Sequence, residues 1–412
     1  MKVLLSFLVC LLGLVTQAQR QCGSSEYTRL NPAVFANTPL TSSYQRDTVR
    51  DEILTVPVVI HVLYNTSTQN ISDQQILSQL AVLNNDFRRM NADAAQTPGA
   101  FATAAADCRI MFCLAQVDPR GRPARGIIRK YTTKSAFSLD DAVKFSAAGG
   151  DDAWDSRKYL NIWVCNLQGN TIGYASLPGS QADKDGVVIQ YNAFGTTGIL
   201  QPAFNKGRTT THEVGHWLGL KHIWGDNACG SDGIEDTPPQ AGYNINCPVF
   251  PRMSTCSSNA SGDMFMNFMD YTNDACMNLF THGQKKKMRS LFAVGGPRNS
   301  FMSSFACDST LASGADLPTP ATPPTQPVEV ARPIVSAFPN PVVQSLTITA
   351  SEGYILTGKS IVLTNSNGIA LKYIQQASSE RVQMDMSAYP AGVYLIQVGI
   401  GAERQVQKIV KP

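Results

Sequence analysis

Between Thr211 and His222 the chain reads Thr-His-Glu-Val-Gly-His-Trp-Leu-Gly-Leu-Lys-His, which gathers three of its five histidines into eleven residues. His212 and His216 are four apart, so on a helix both imidazoles leave one face and can share one metal ion. Glu213 then stands one position round, beside that ion. His222 would swing away if the helix continued, so the chain must turn near Gly219, where a residue without Cβ tolerates the backbone required. A helix, a break and a returning ligand are therefore demanded of whatever fold surrounds this segment.

Zinc suits such a donor set. It prefers imidazole nitrogen, and a catalytic site keeps three protein ligands with the fourth position open for a water whose pKa falls towards 7. A short HExxH alone is weak, but HExxHxxGxxH fixes five positions and arises by chance in a chain this long roughly once in 10⁵. A secreted adhesin or sensor with structural zinc would close all four positions with protein ligands. Three histidines with a glutamate beside them predict catalysis instead, with Glu213 as general base.

At 412 residues the chain is expected to hold two or three units. A 43% hydrophobic and 16% charged composition with a net charge of +3 is ordinary and gives no sign of nucleic-acid binding. Residues 1–18 read as a secretory signal peptide: Met1-Lys2, an apolar run from Val3 to Val15 and a small-x-small ending at Thr16-Gln17-Ala18. That run of about 13 residues is shorter than the roughly 20 needed to span a bilayer, and no later segment qualifies. Its removal takes Cys10 and leaves nine cysteines in an export route where disulfides persist, so at least one thiol stands alone.

Residues 19–54 are polar, carry Arg46 and Arg50 as sites a protease can cut, and fit a pro-segment. Residues 55–308 are expected to form the catalytic domain. Val56–Tyr64 predicts a strand buried on both faces, and Ser72 caps a helix whose inward face carries Ile76, Leu77, Leu80, Leu83 and Phe87. Further strands are predicted at 110–116, 159–166 and 187–191. Residues 309–333, rich in proline, read as a linker, and 334–412, with short alternating runs, as a small β-sandwich.

The zinc segment resembles the metzincin signature, and Asn267-Phe268-Met269-Asp270-Tyr271 is similar to the Met-turn that follows it in those proteases. Together with Trp217–His222 and Cys276-Met277, the wording looks most like the pappalysin family of zinc endopeptidases, over about residues 55 to 300. The resemblance implies an α+β, layered catalytic domain with a twisted mixed sheet and an active-site helix, acting on protein or peptide substrates. It implies Met269 as a hydrophobic floor under the metal and Tyr271 as a donor to the oxyanion. It pairs Cys229 with Cys256 and Cys247 with Cys276, where spacing alone allows three connectivities. It implies structural calcium in the loop of Asp226, Asp232, Glu235, Asp236 and Thr237, with Asp232, Asp236 and Thr237 as ligands, against the alternative of a solvated acidic loop. It further implies a strand at Gly173–Leu177 that pairs with extended substrate, and a preference for basic residues on the primed side through Asp274.

Arg20-Gln21-Cys22-Gly23 is similar to a cysteine switch in which a thiolate fills the open zinc position of the zymogen; a disulfide from Cys22 to Cys108, Cys113, Cys165 or Cys307 is the alternative. Ala337-Phe338-Pro339-Asn340-Pro341, with Ala391–Ile396 and Gln407–Lys411, resembles the sorting domain of type IX secretion cargo. That implies passage through the periplasm, contact with the type IX machinery and release outside the cell or at the outer-membrane surface. A carbohydrate- or protein-binding module is the competing reading, since a β-sandwich alone is silent on function.

Overall fold

The computed structural model describes residues 20–31, 52–256, 261–304, 306–307, 335–350, 356–365, 370–374, 377–399 and 405–412. The signal-peptide segment 1–18, Arg46, Arg50 and the linker 309–333 lie outside the described residues. Two compact units are formed, one of residues 1–112 and 127–304 and the other of residues 113–126 and 305–412. Among the described residues no helix is long and apolar enough to cross a membrane.

The first unit opens with the short helix α1 (Ser24–Leu30), followed by β1 (Leu54–Tyr64), α2 (Asp73–Phe87), β2 (Ile110–Leu114), β3 (Ile127–Tyr131), β4 (Leu160–Cys165), β5 (Gly173–Ala175) and β6 (Gly186–Gln190). The longer helices α3 (Arg208–Trp217) and α4 (His282–Ser290) follow, and a single helical turn at Gly99–Ala102 lies between α2 and β2. The strands form one mixed sheet in the order β2-β1-β4-β6-β5, with β3 also paired to β1. β1 runs parallel to β3 and β4, β4 parallel to β6, and β5 antiparallel to β6. The β-branched run Val56–Leu63 is buried along its length, as a strand covered on both faces must be.

Helix α2 is capped as its sequence predicts, Ser72 accepting from the Gln75 amide at 3.1 Å. Its inward face is more polar than the apolar spacing implied. Leu77 points outward, while Gln75, Gln79 and Asp86 are buried beside Ile76, Leu83 and Phe87. These polar groups organise the approach to α3: Gln75 Nε2 donates to the Phe194 carbonyl at 2.8 Å and Gln79 Nε2 to the Gly207 carbonyl at 2.9 Å. Gly207 is left-handed (φ 74°) at the start of α3. Arg208 then locks the first turn through both oxygens of Asp93, at 2.6 and 2.7 Å.

In the second unit, seven strands follow: β7 (Val335–Phe338), β8 (Ser345–Ala350), β9 (Ile361–Asn365), β10 (Ala370–Ile374), β11 (Arg381–Asp385), β12 (Gly392–Val398) and β13 (Gln405–Lys411). They make two antiparallel sheets, ordered β10-β9-β12-β13 and β11-β8-β7. Alternation fixes their faces: Tyr394, Ile396 and Val398 are buried with Ile348, Leu363 and Ile409, whereas Val393 and Leu395 face outward. Cys113 and Cys307 form a disulfide within this unit.

Candidate metal centre and active site

All ten residues of α3 are buried, and His212 and His216 leave it on one face. The helix stops as the glycine spacing requires. Gly219 is left-handed (φ 82°), the Leu220 amide returns to the Gly215 carbonyl at 3.0 Å, and the chain folds back to bring His222 to its partners. His216 Nε2 lies 3.2 Å from His212 Nε2 and 3.1 Å from His222 Nε2.

The other ring nitrogens face acceptors. His212 Nδ1 sits 2.7 Å from the Phe268 carbonyl and His216 Nδ1 2.8 Å from that of Leu220, so each Nδ1 donates and each Nε2 presents a bare lone pair. Burial, then the neighbouring imidazoles, hold His212 well below the usual histidine range; burial and His222 bring His216 to about 3. Lone pairs turned on one point repel each other unless a cation stands between them. With Cys22 Sγ the three nitrogens form a set of donors all within 4.8 Å of one another, which suits zinc in ligand type and number.

Asp226, in the acidic loop that follows the zinc segment, stands at His222, its Oδ1 2.5 Å from Nδ1, where it orients that ring as the two carbonyls orient the others. Its place just after the ligand, past a left-handed Gly225, was the available signal.

Glu213 is buried beside the imidazoles. Its Oε2 accepts from Ser24 Oγ at 2.8 Å and from the Cys22 thiol at 3.4 Å, while burial pushes its pKa up to about 7. β5 passes so close that a Cβ on Gly173 would lie 2.9 Å from Glu213 Cγ. Cys22 reaches this point by pairing along that strand, the Gly23 amide donating to the Gly173 carbonyl at 2.8 Å and the Ile172 amide to that of Gln21 at 3.1 Å. Cys22 is a free thiol, as are Cys108 and Cys165. Burial and the Glu213 charge push the Cys22 thiol well up.

Met269 is fully buried against α3. Tyr271 packs on His212, His222, Trp224 and Tyr243, with its hydroxyl 3.4 Å from the Cys22 carbonyl. Burial and nearby negative charge hold its phenol well above the usual range, so it remains a donor.

Asp274 is fully buried. Its Oδ1 receives Arg20 Nη2 at 2.5 Å, and its Oδ2 accepts from the Lys206 and Arg208 amides at 2.9 and 3.1 Å. The Arg20 guanidinium also lies over the Phe204 ring, 5.2 Å from its centroid. Sequence reasoning singled out Cys22, within the motif that Arg20 opens, and Asp274, but neither the contact of Arg20 with Asp274 nor that of Ser24 with Glu213.

The acidic loop divides its side chains. Asp232 accepts from Thr237 Oγ1 at 3.0 Å on both oxygens, whereas Asp236 accepts from Thr281 Oγ1 at 2.6 Å and the Gly283 amide at 2.7 Å, at the start of α4. Cys229 is joined to Cys256 and Cys247 to Cys276, tying the loops between α3 and the Met269 turn.

Comparison with known proteins agrees with this geometry. A family model described as pregnancy-associated plasma protein-A, peptidase M43, matches residues 146–293, and one described as a secretion system C-terminal sorting domain matches residues 336–412. An extracellular metalloprotease of Verticillium alfalfae is 32% identical over 256 residues, 58% of this chain and 76% of that protein. Among solved structures, Tannerella forsythia mature mirolysin with a cleaved peptide is 52% identical, with a TM-score of 0.61 over 64% of this chain and 99% of that one. A promirolysin mutant from the same organism is 47% identical, with a TM-score of 0.64 over 71% of this chain and 100% of that one.

Proposed function

The chain belongs to the pappalysin family of metalloproteases, peptidase M43, and from that premise we propose that it is a zymogen whose released form is a zinc endopeptidase cutting before basic residues. The protein is secreted, and residues 336–412 are its sorting domain. One observation carries the proposal: Arg20–Cys22 lies across the site with its thiol at the three histidines and its guanidinium on Asp274.

Zinc held by His212, His216 and His222 would supply a Lewis acid towards water and the scissile carbonyl. Glu213 takes the proton of the attacking water and passes it to the leaving amine, a role suited to a carboxyl whose pKa lies at about 7. Tyr271, kept protonated, donates to the developing oxyanion. Met269 packs beneath α3 and fixes the imidazoles. The edge of β5 at Gly173, which Cys22 and Gly23 cover in the latent form, pairs with the extended substrate backbone.

Asp274 supplies basic specificity, because a carboxylate already desolvated and oriented by two amides gains most from a guanidinium. Arg46 and Arg50 are then proposed self-processing sites. A structural calcium is proposed with Asp232, Asp236 and Thr237 as its ligands, Asp232 and Thr237 being already hydrogen-bonded to each other and Asp236 standing at the start of α4. Its test is the recovery of thermal stability on adding calcium to chelated protein.

The main test is a peptide series with Arg, Lys or Ala after the scissile bond, cleaved by the processed enzyme. Arg and Lys peptides should be hydrolysed, and Asp274→Asn should lower kcat/KM for them about a hundredfold while sparing the Ala peptide. Equal losses on all three would refute the specificity role. Cleavage by Glu213→Ala would refute the mechanism.

A further inference from the structure

The segment that covers the active site fills a second cage. Tyr27, five residues past Cys22, is fully buried, and with Ser24 it is one of two buried residues of α1. Its ring packs on Tyr174 at 5.0 Å between centroids and lies 4.8 Å from Lys144 Nζ; Phe137 and Trp163 belong to the same cluster. Its hydroxyl donates to Asp141 Oδ2 at 2.8 Å.

Nothing in ordinary core packing asks for these groups. Lys144 is wholly buried, 2.9 Å from Asp141 Oδ1 and 2.8 Å from the Lys184 carbonyl, and an enclosed ion pair carries a large desolvation cost. Asp141 adopts φ 65°, uncommon for a residue other than glycine. The Tyr174 hydroxyl is buried without a hydrogen-bond partner among the described residues. A cation over the ring, a carboxylate at the phenol oxygen and flanking aromatics make a binding site for a phenol.

The cage lies next along the same edge strand, on the face opposite Glu213. Tyr174 follows Gly173 on β5, and a Cβ on Gly23 would lie 3.3 Å from Tyr174 Cβ. Arg20 and Tyr27 thus stand to either side of Cys22 along the segment, each in its own cage.

We infer that the Tyr27 cage is, once the segment has left, a subsite for an aromatic, preferentially phenolic, substrate side chain on the side of the scissile bond opposite Asp274. This rests on the reading that the segment occupies the substrate cleft. The phenol of such a residue donates to Asp141, its ring lies under Lys144, and the residue enters past Tyr174.

The test uses the processed enzyme and quenched peptides with Arg after the scissile bond, beside a matched set with Ala there, and Ala, Leu, Phe or Tyr at each of the preceding positions. At one position Phe and Tyr should exceed Ala in kcat/KM by about tenfold, with Tyr ahead of Phe by a few-fold. Asp141→Ala, which removes the acceptor, should bring the Tyr-to-Phe ratio to about one. A flat profile at every position, with the preference for Arg intact, would overturn the inference in the unmutated enzyme alone. Loss of the Arg preference would instead count against Asp274 and leave the aromatic profile readable.

Discussion

Gly215 and Met269 meet so closely that a Cβ at residue 215 would lie 2.5 Å from the Met269 sulfur. Gly215 stands between His212 and His216 in the sequence of α3, so the glycine admits the methionine sulfur against the helix there. Gly215→Ala must push Met269 away or tilt α3, at an overpacking cost of about 1–3 kcal/mol. Activity should fall at least about tenfold with a lower melting temperature, and Gly215→Ala combined with Met269→Ala should regain part of the stability. Unchanged activity and melting in the single variant would show that the contact is not limiting.

Metal removal separates binding from chemistry. Chelation with phenanthroline should abolish hydrolysis, and zinc should restore it. Glu213→Gln should keep zinc at about one ion per chain and lose activity by roughly three orders of magnitude or more. His222→Ala should lose the ion as well. Metal analysis beside activity distinguishes the two outcomes.

The proposed latency rests on several contacts from one segment. Cys22 faces the histidines, Ser24 holds Glu213, and Arg20 holds Asp274. Cys22→Ala should raise the activity of unprocessed precursor by about tenfold, leaving it below that of the processed enzyme because Arg20 still blocks the cleft. Adding Arg20→Ala should bring the precursor closer to the processed rate, as read with a fluorogenic peptide before any cleavage of the segment.

The metal ligands were legible because helical spacing is a local property: a step of four from His212 to His216, and a glycine at the break, suffice. The same holds for Ser72 as a cap and for the strand at Val56–Tyr64. β3 was missed because Ile127–Tyr131 is short and partly exposed, so neither alternation nor a buried run marks it. The contact of Asp226 with His222 was not legible because a carboxylate in a glycine-rich loop reads alike whether it serves a cation or an imidazole. Arg20, Ser24 and Tyr27 meet partners more than one hundred residues away. Only the folded sheet edge at β5 brings those partners within reach.

Beneath α3, Asp86 accepts from Thr211 Oγ1 at 2.8 Å and lies 3.5 Å from Arg208 Nη2. Its burial outweighs both contacts and pushes its pKa from 3.8 up to about 7. A folded-state pKa raised above the unfolded one means that the native protein holds this proton more tightly. The corresponding stability is present below the unfolded value and is lost as pH rises through about 7. Asp86→Asn keeps an oxygen for Thr211 and carries no charge to desolvate. Relative to wild type it should gain on the order of 2 kcal/mol between about pH 5 and about pH 8. Urea denaturation in the Glu213→Ala background, where self-cleavage is absent, measures the difference at each pH. A variant that instead loses ground as pH rises would mean that Asp86 is ionised throughout and that its attraction to Arg208 dominates.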